Sequence, residues 1–319
     1  MRVVITDHEF ASVDAEEAAV RDNGAELVVG STRDEQKVAE LTAGADVVIL
    51  AYAPITDRVL SGMAENATVI RYGVGYDTVD VEAATRRGVR VCNVPDYGAE
   101  TVADHTVMLA LATLRRAVPY DQRVREDEQG WIQAQQIGMI PALRDITYGL
   151  VGTGTIGLLV AERISAFGAR ILAYDPYAKE EALTDRDIER VELDDLLQRS
   201  DAISLHAPLT EETHHILDET ALRRTQRGTI LVNTARGALV DTSAAAALAK
   251  EGHLGGLGLD VFEKEPLPLD HPVREAPNTI LTPHAAFYST RALKNLQDYA
   301  AAEVGRALRG EPLRCQINR

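Results

Sequence analysis

Tyr148-Gly149-Leu150-Val151-Gly152-Thr153-Gly154-Thr155-Ile156-Gly157 decides how this chain reads. A short apolar strand runs straight into a glycine turn, and helical sequence follows through residue 167. A second strand, Ile171-Leu172-Ala173-Tyr174, ends on Asp175. Of the three glycines, Gly152 permits a tight turn, Gly154 lets backbone approach a pyrophosphate, and Gly157 lets the helix pack closely on the strand. Free N–H groups at the helix start, including those of Thr155 and Ile156, then face the phosphates, where the helix dipole favours negative charge. Asp175 lies about 20 residues beyond the glycines, where a carboxylate accepts both hydroxyls of an adenosine ribose. A 2′-phosphate there meets like charge, so the reading is NAD and not NADP. A lone glycine triplet would be weak; the flanking strand, helix and terminal acid supply the context the motif requires.

Working outward, apolar runs alternate with helical segments along the whole chain, the pattern of parallel sheets covered by helices. Strands are expected at 3–5, 26–29, 47–51, 68–71 and 89–94, then at 147–151, 171–174, 202–206, 229–233, 256–259 and 279–282. Helices are expected at 15–23, 81–87, 100–116 and 290–309. Because the glycine turn begins near residue 150, the nucleotide domain cannot be N-terminal. The expected fold is α/β, with two Rossmann-like or flavodoxin-like parallel-sheet domains, the NAD-binding domain (99–286) being inserted into a substrate domain (1–98 and 287–319). Hinges are expected at the two crossovers, near 95–101 and 285–289. Ligands in open α/β sheets bind at the carboxyl ends of strands, which puts the expected active site in the cleft between the domains.

The 319 residues carry a formal net charge of −16, which opposes direct binding to nucleic acid. It gives no reason to expect an anionic membrane as partner. Cys92 and Cys315 are too few for a disulfide framework and suit a reducing, cytoplasmic location. The opening Met1-Arg2-Val3-Val4-Ile5 reads as a first strand, too short for a signal peptide. His214-His215 lacks companions at metal-ligand spacing, so no metal is expected. Trp131 reads as a core or packing residue, the alternative being a dimer surface or the partner's pocket.

Three features follow predicted strands: Asn233-Thr234-Ala235-Arg236-Gly237, Asp260-Val261-Phe262-Glu263-Lys264-Glu265-Pro266 and Thr282-Pro283-His284. Alone, Arg236 reads as a surface arginine, Glu265 as a loop charge and His284 as a capping residue. Together on successive strand ends they match one chemistry. Oxidising a 2-hydroxy acid removes a hydroxyl proton as hydride leaves the same carbon. Histidine takes that proton, or returns it in reduction. A carboxylate on its other ring nitrogen fixes the tautomer, and an arginine holds the substrate carboxylate and polarises the carbonyl.

These motifs, with Arg71-Tyr72-Gly73-Val74-Gly75-Tyr76-Asp77 and Leu205-His206-Ala207-Pro208-Leu209-Thr210, occur in the order found in D-isomer-specific 2-hydroxyacid dehydrogenases, which the chain resembles over nearly all its length. The resemblance implies that Arg236, Glu265 and His284 are catalytic and that Val74 and Gly75 hold the substrate carboxylate through backbone N–H groups. It implies that Asp260 binds the nicotinamide carboxamide, and it places Thr101, His206, Pro208, Thr213, Thr234 and Ala235 along the cofactor. Tyr52, Arg71 and Phe287 are expected near the substrate. The implied activity is an NAD-dependent D-2-hydroxyacid dehydrogenase working as a 2-oxoacid reductase, and the implied assembly is a homodimer through the helix at 100–116. The stretches 283–289 and 313–318 are similar to the C-terminal-binding-protein (CtBP-like) branch. That branch raises a second possibility, an NAD-sensing scaffold or corepressor. Arg71 raises a third, a phosphorus oxyanion substrate such as phosphite or phosphonopyruvate.

Overall fold

The computed structural model describes residues 1–126, 128–131 and 139–318. The chain forms two compact units, one made of residues 1–98 and 288–319 and the other of residues 99–287. Phe287 falls with the second unit, one residue past the expected boundary at 286.

In the first unit, β1 (Arg2–Ile5), β2 (Glu26–Val29), β3 (Val47–Leu50), β4 (Thr68–Arg71) and β5 (Arg90–Asn93) form one parallel sheet in the order β2-β1-β3-β4-β5. This is the flavodoxin-like order. Strands covered on both faces must be apolar throughout, and β3 (Val-Val-Ile-Leu) is buried at every position. One face packs under Val38, Val59, Leu60 and Ala83, and the other under Val20 and the last helix, Thr290–Leu308. Leu296, Ala300 and Val304 of that helix join the same core as Val3 and Ile70, so sequence from the far end of the chain completes this unit.

In the second unit, β6 (Thr147–Val151), β7 (Arg170–Tyr174), β8 (Ile188–Arg190), β9 (Ala202–Leu205), β10 (Thr229–Asn233), β11 (Leu254–Leu259) and β12 (Thr279–Leu281) form a parallel sheet in the order β12-β11-β10-β9-β6-β7-β8. The order reverses between β6 and β9, which is the doubly wound pattern with its ligand-binding crevice at the reversal. The helices Ala99–Leu114 and Thr155–Ser165 cover one face, with Leu109, Ala110, Val160 and Ile164 buried.

Two sequence expectations change. The edge strand β8 was not anticipated, because only Ile188 of its three residues is buried and so short a stretch carries no alternation to read. Trp131 is not a core residue: it is 77% exposed. It ends a 3-10 turn, Glu128–Trp131, that follows a helix, Ala117–Glu126, with no buried residue and hence no apolar stripe to join. Among the described residues no helix is long and apolar enough to cross a membrane.

Asp7, just past β1, shows how the loops at the carboxyl edge are held. It is 4% exposed, and its carboxylate accepts the N–H groups of Ala51, Tyr52 and Ala53 at 3.0, 2.9 and 3.2 Å, with Arg33 Nε at 3.1 Å. Buried N–H groups left without an acceptor cost about 1–3 kcal/mol each. Asp7→Ala should therefore lower the unfolding free energy in urea by more than about 2 kcal/mol, and Asp7→Asn, which keeps one acceptor oxygen, by less. Equal midpoints for wild type and Asp7→Ala would contradict this account.

Candidate active site

The glycine turn has the form a dinucleotide needs. Gly152 sits at φ +96°, a conformation side chains rarely adopt, and a Cβ there would meet the His206 carbonyl carbon at 2.8 Å. A Cβ on Gly157 would lie 2.3 Å from the Gly152 carbonyl oxygen, so helix and turn touch directly. Gly154, by contrast, has nothing within 4 Å of its missing Cβ, and it caps the helix Thr155–Ser165. Thr155 is exposed and Ile156 half-buried at that helix start. The turn thus offers an open backbone cradle at a helix N-terminus, which fits a pyrophosphate.

Asp175 directly follows β7. Its Oδ2 accepts the Thr153 N–H and hydroxyl, both at 2.8 Å, and its Oδ1 accepts the Tyr177 N–H at 2.9 Å. Burial alone would raise this carboxyl, but the Thr153 and Tyr177 donors outweigh it and hold the group below its ordinary value. Its negative charge therefore persists at neutral pH beside the turn.

His206 follows β9 and holds its Nε2 2.7 Å from the Ser204 hydroxyl. Desolvation pushes its imidazolium down to about 3, so the ring is neutral. Next in the same loop, Thr213 donates to the Pro208 carbonyl at 2.6 Å, which closes a turn on that edge. Past β10, the Asn233 side chain receives the Ala235 N–H at 3.0 Å and donates to the Arg236 carbonyl at 2.8 Å. Thr234 is buried against Thr106, the hydroxyls lying 2.7 Å apart. Thr101 lies in the first turn of the helix Ala99–Leu114.

Beyond β11 and β12 two of the three expected residues meet. His284 Nδ1 is 2.7 Å from Glu265 Oε2, and Glu265 Oε1 accepts the Phe262 N–H at 3.0 Å. Burial would raise the Glu265 carboxyl. The His284 hydrogen bond, the Phe262 N–H and the charges of His284 and Arg236 together bring it below its ordinary value. Arg236 is half-buried and its Nη1 also donates to the Ala235 carbonyl at 2.7 Å. With Nδ1 committed to a carboxylate, His284 has Nε2 left for chemistry, and the pair keeps 35% of each side chain exposed for a reactant to reach. His215 pairs separately with Glu263 at 2.7 Å and stacks on His214.

Asp260 is arranged differently. It is 1% exposed, and its carboxylate accepts the Thr282 hydroxyl and the N–H groups of Ala285 and Ala286 at 2.8 and 2.9 Å. Sequence reasoning missed this holding role, and it missed the His105 ring that reaches Thr282 from the helix Ala99–Leu114. Those partners are far apart in sequence and carry no local signal.

The remaining residues, Phe287 apart, belong to the first unit. The Gly73 and Val74 carbonyls are taken by Val94 N–H at 3.0 Å and Asn93 Nδ2 at 2.7 Å. In a planar trans peptide the N–H points opposite its carbonyl, so the N–H groups of Val74 and Gly75 face away from β5. Arg33 and Arg71 lie 4.5 and 5.9 Å from the Tyr52 ring centroid. Phe287, in the second unit, is half-buried.

The turn and Asp175 generate a prediction. Two like charges about 4 Å apart repel by roughly 1–4 kcal/mol between bulk water and a protein surface, about fivefold or more in binding. Asp175→Ala should raise the relative use of NADPH over NADH by about that factor in paired kcat/KM measurements. An unchanged ratio would remove the carboxylate from cofactor choice.

Known proteins share this sequence and fold. The family model for the D-isomer specific 2-hydroxyacid dehydrogenase NAD-binding domain matches residues 107–286. A glyoxylate reductase of Korarchaeum cryptofilum is 42% identical over 267 residues, 83% of this chain and 80% of that protein. A D-3-phosphoglycerate dehydrogenase of Mycobacterium tuberculosis is 40% identical over 277 residues; the match covers 86% of this chain but only 51% of that protein. Among solved structures, the D-lactate dehydrogenase of Aquifex aeolicus in complex with NAD and lactic acid superposes with a TM-score of 0.87 at 31% identity, covering 97% of this chain and 96% of the other. The chain belongs to the D-isomer specific 2-hydroxyacid dehydrogenases, enzymes that use NAD.

Proposed function

We propose that the chain reduces a short 2-oxo acid to the D-2-hydroxy acid, with His284 as proton donor, Glu265 as its tuning carboxylate and Arg236 as the substrate clamp. The observation that carries this reading is the 2.7 Å contact between His284 Nδ1 and Glu265, beside the charge of Arg236. The turn from Gly152 to Gly157 and the Asp175 carboxylate would hold NADH, which would supply the hydride. His284 Nε2 gives its proton to the carbonyl oxygen, which becomes the new hydroxyl. Glu265 accepts from Nδ1 throughout, which fixes the ring and leaves Nε2 to carry the transferred proton. The Arg236 guanidinium orients the substrate carboxylate and draws electron density from the adjacent carbonyl. The N–H groups of Val74 and Gly75 are assigned to the same carboxylate, and Tyr52 and Phe287 to the substrate side chain.

Glyoxylate heads the list of substrates to try, because the archaeal relative is a glyoxylate reductase. A phosphorus oxyanion substrate, phosphite or phosphonopyruvate, is the alternative, motivated by Arg71 beside Tyr52. The test is NADH consumption over glyoxylate, pyruvate, bulkier 2-oxo acids and phosphonopyruvate. A rate with phosphonopyruvate no higher than in buffer would dispose of that version of the alternative. Positioned acid–base groups contribute about 10²–10⁴-fold, so His284→Ala should lower kcat by that range with the melting curve unchanged. Loss of the Arg236 guanidinium should cost about 10²-fold. Full activity in both variants would end the assignment.

The Phe262 and His284 donors hold the Glu265 carboxyl below its ordinary value despite burial, so it faces Nδ1 as an anion at neutral pH. Glu265→Gln keeps the shape and removes that charge, so kcat at neutral pH should fall by about tenfold or more while the KM for NADH changes little. A Glu265→Gln variant at wild-type kcat would show that the carboxylate does not act on the histidine.

A further inference from the structure

His284 lies in the left-handed region, at φ +53°, where a side-chain-bearing residue is strained. Its place is therefore imposed by what surrounds it. Its N–H donates to the Asp260 carbonyl at 2.7 Å and to the Thr282 carbonyl at 3.1 Å. The next two N–H groups, of Ala285 and Ala286, donate to the Asp260 carboxylate. Asp260 thus holds the histidine turn through its backbone and its side chain together.

The orientation of that carboxylate is itself set by a chain of hydrogen bonds. Thr282 Oγ1 donates to Asp260 Oδ1, and His105 Nε2 lies 3.0 Å from the same hydroxyl and 3.8 Å from Oδ1. A hydroxyl has one proton, and Thr282 spends it on the carboxylate. His105 must then be the donor, with its proton on Nε2. The neighbouring residue on the same helix, Thr106, makes the contact to Thr234, two residues before Arg236. Two successive side chains of the helix Ala99–Leu114 therefore reach the strand-end loops that carry His284 and Arg236.

We infer that His105 is a positioning residue for the proton donor, acting through Thr282 and Asp260 on the turn of His284. This rests on the function proposed above. An aligned donor matters to the transfer step: misplacing a catalytic group by about 1 Å can cost 10²-fold. His105 touches neither the reacting proton nor the substrate, so its removal is a loss of alignment and should fall on kcat.

The experiment compares His105→Leu, which keeps bulk without a donor, with His105→Gln, which keeps an N–H within similar reach. The leucine variant should lower kcat for the best 2-oxo acid about ten- to hundredfold while the KM for NADH moves less than about twofold. Glutamine should restore most of the rate. Thr282→Val and Thr282→Ser form a second pair with the same expected order, in case His105→Leu does not fold. A leucine variant at wild-type kcat, or glutamine no better than leucine, overturns the inference. A separate readout needs no turnover: ring nitrogen-15 spectra of the wild-type protein should show His105 protonated at Nε2. A bare Nε2 overturns the inference and leaves the proposed reaction standing. A wild-type protein that reduces no 2-oxo acid, yet shows that proton in place, counts against the reaction and supports the hydrogen-bond chain.

Discussion

A carboxylate that directly follows or closely trails a parallel strand, and that accepts backbone N–H groups of a loop at the same edge, organises this molecule. Chains leaving the carboxyl edge of a parallel sheet have donors that no ladder satisfies, and a buried donor without an acceptor is costly. Asp7 meets that need for residues 51–53, Asp175 for Thr153 and Tyr177, and Asp260 for Ala285 and Ala286. Charge-assisted bonds of this kind are roughly twice as strong as neutral ones. Each loop is thereby fixed where its side chains are to be used.

Asp260 and Glu265 are acids beyond β11 with different surroundings. Asp260 is 1% exposed and engaged with its own chain, whereas Glu265 stays one-third exposed. A pair as exposed as Glu265 and His284 contributes little stability, because solvent screens it. What it provides is a histidine with one nitrogen committed and the other available. The strain of the left-handed His284 backbone is met by Asp260, so the exposed pair need not supply the rigidity.

The two sheets use the same device for different chemistry. In the unit of residues 99–287 it surrounds a glycine turn and three polar side chains. In the unit of residues 1–98 and 288–319 it fixes the Tyr52 loop, while Val94 and Asn93 orient the peptides at Val74 and Gly75. Neither arrangement depends on a large local helix or hairpin. Both depend on where parallel strands end.

Local physics made much of this legible. A buried parallel strand is apolar along its length, so β3, β6 and β10 announce themselves, and a turn that must approach a phosphate closely has to be glycine. The grouping of Arg236, Glu265 and His284 also showed, since each follows a strand of one sheet and strand ends share an edge. Three matters were decided only by tertiary structure. Ile188–Arg190 becomes a strand because β7 leaves an edge to pair with. Trp131 is exposed beside a helix that itself buries no residue. Asp260 turns inward to backbone N–H groups, and His105 reaches Thr282 across 177 residues. An aspartate after a strand reads the same in sequence whether it faces a ligand or its own chain, because the donors that claim it arrive only when distant loops are brought to the same edge.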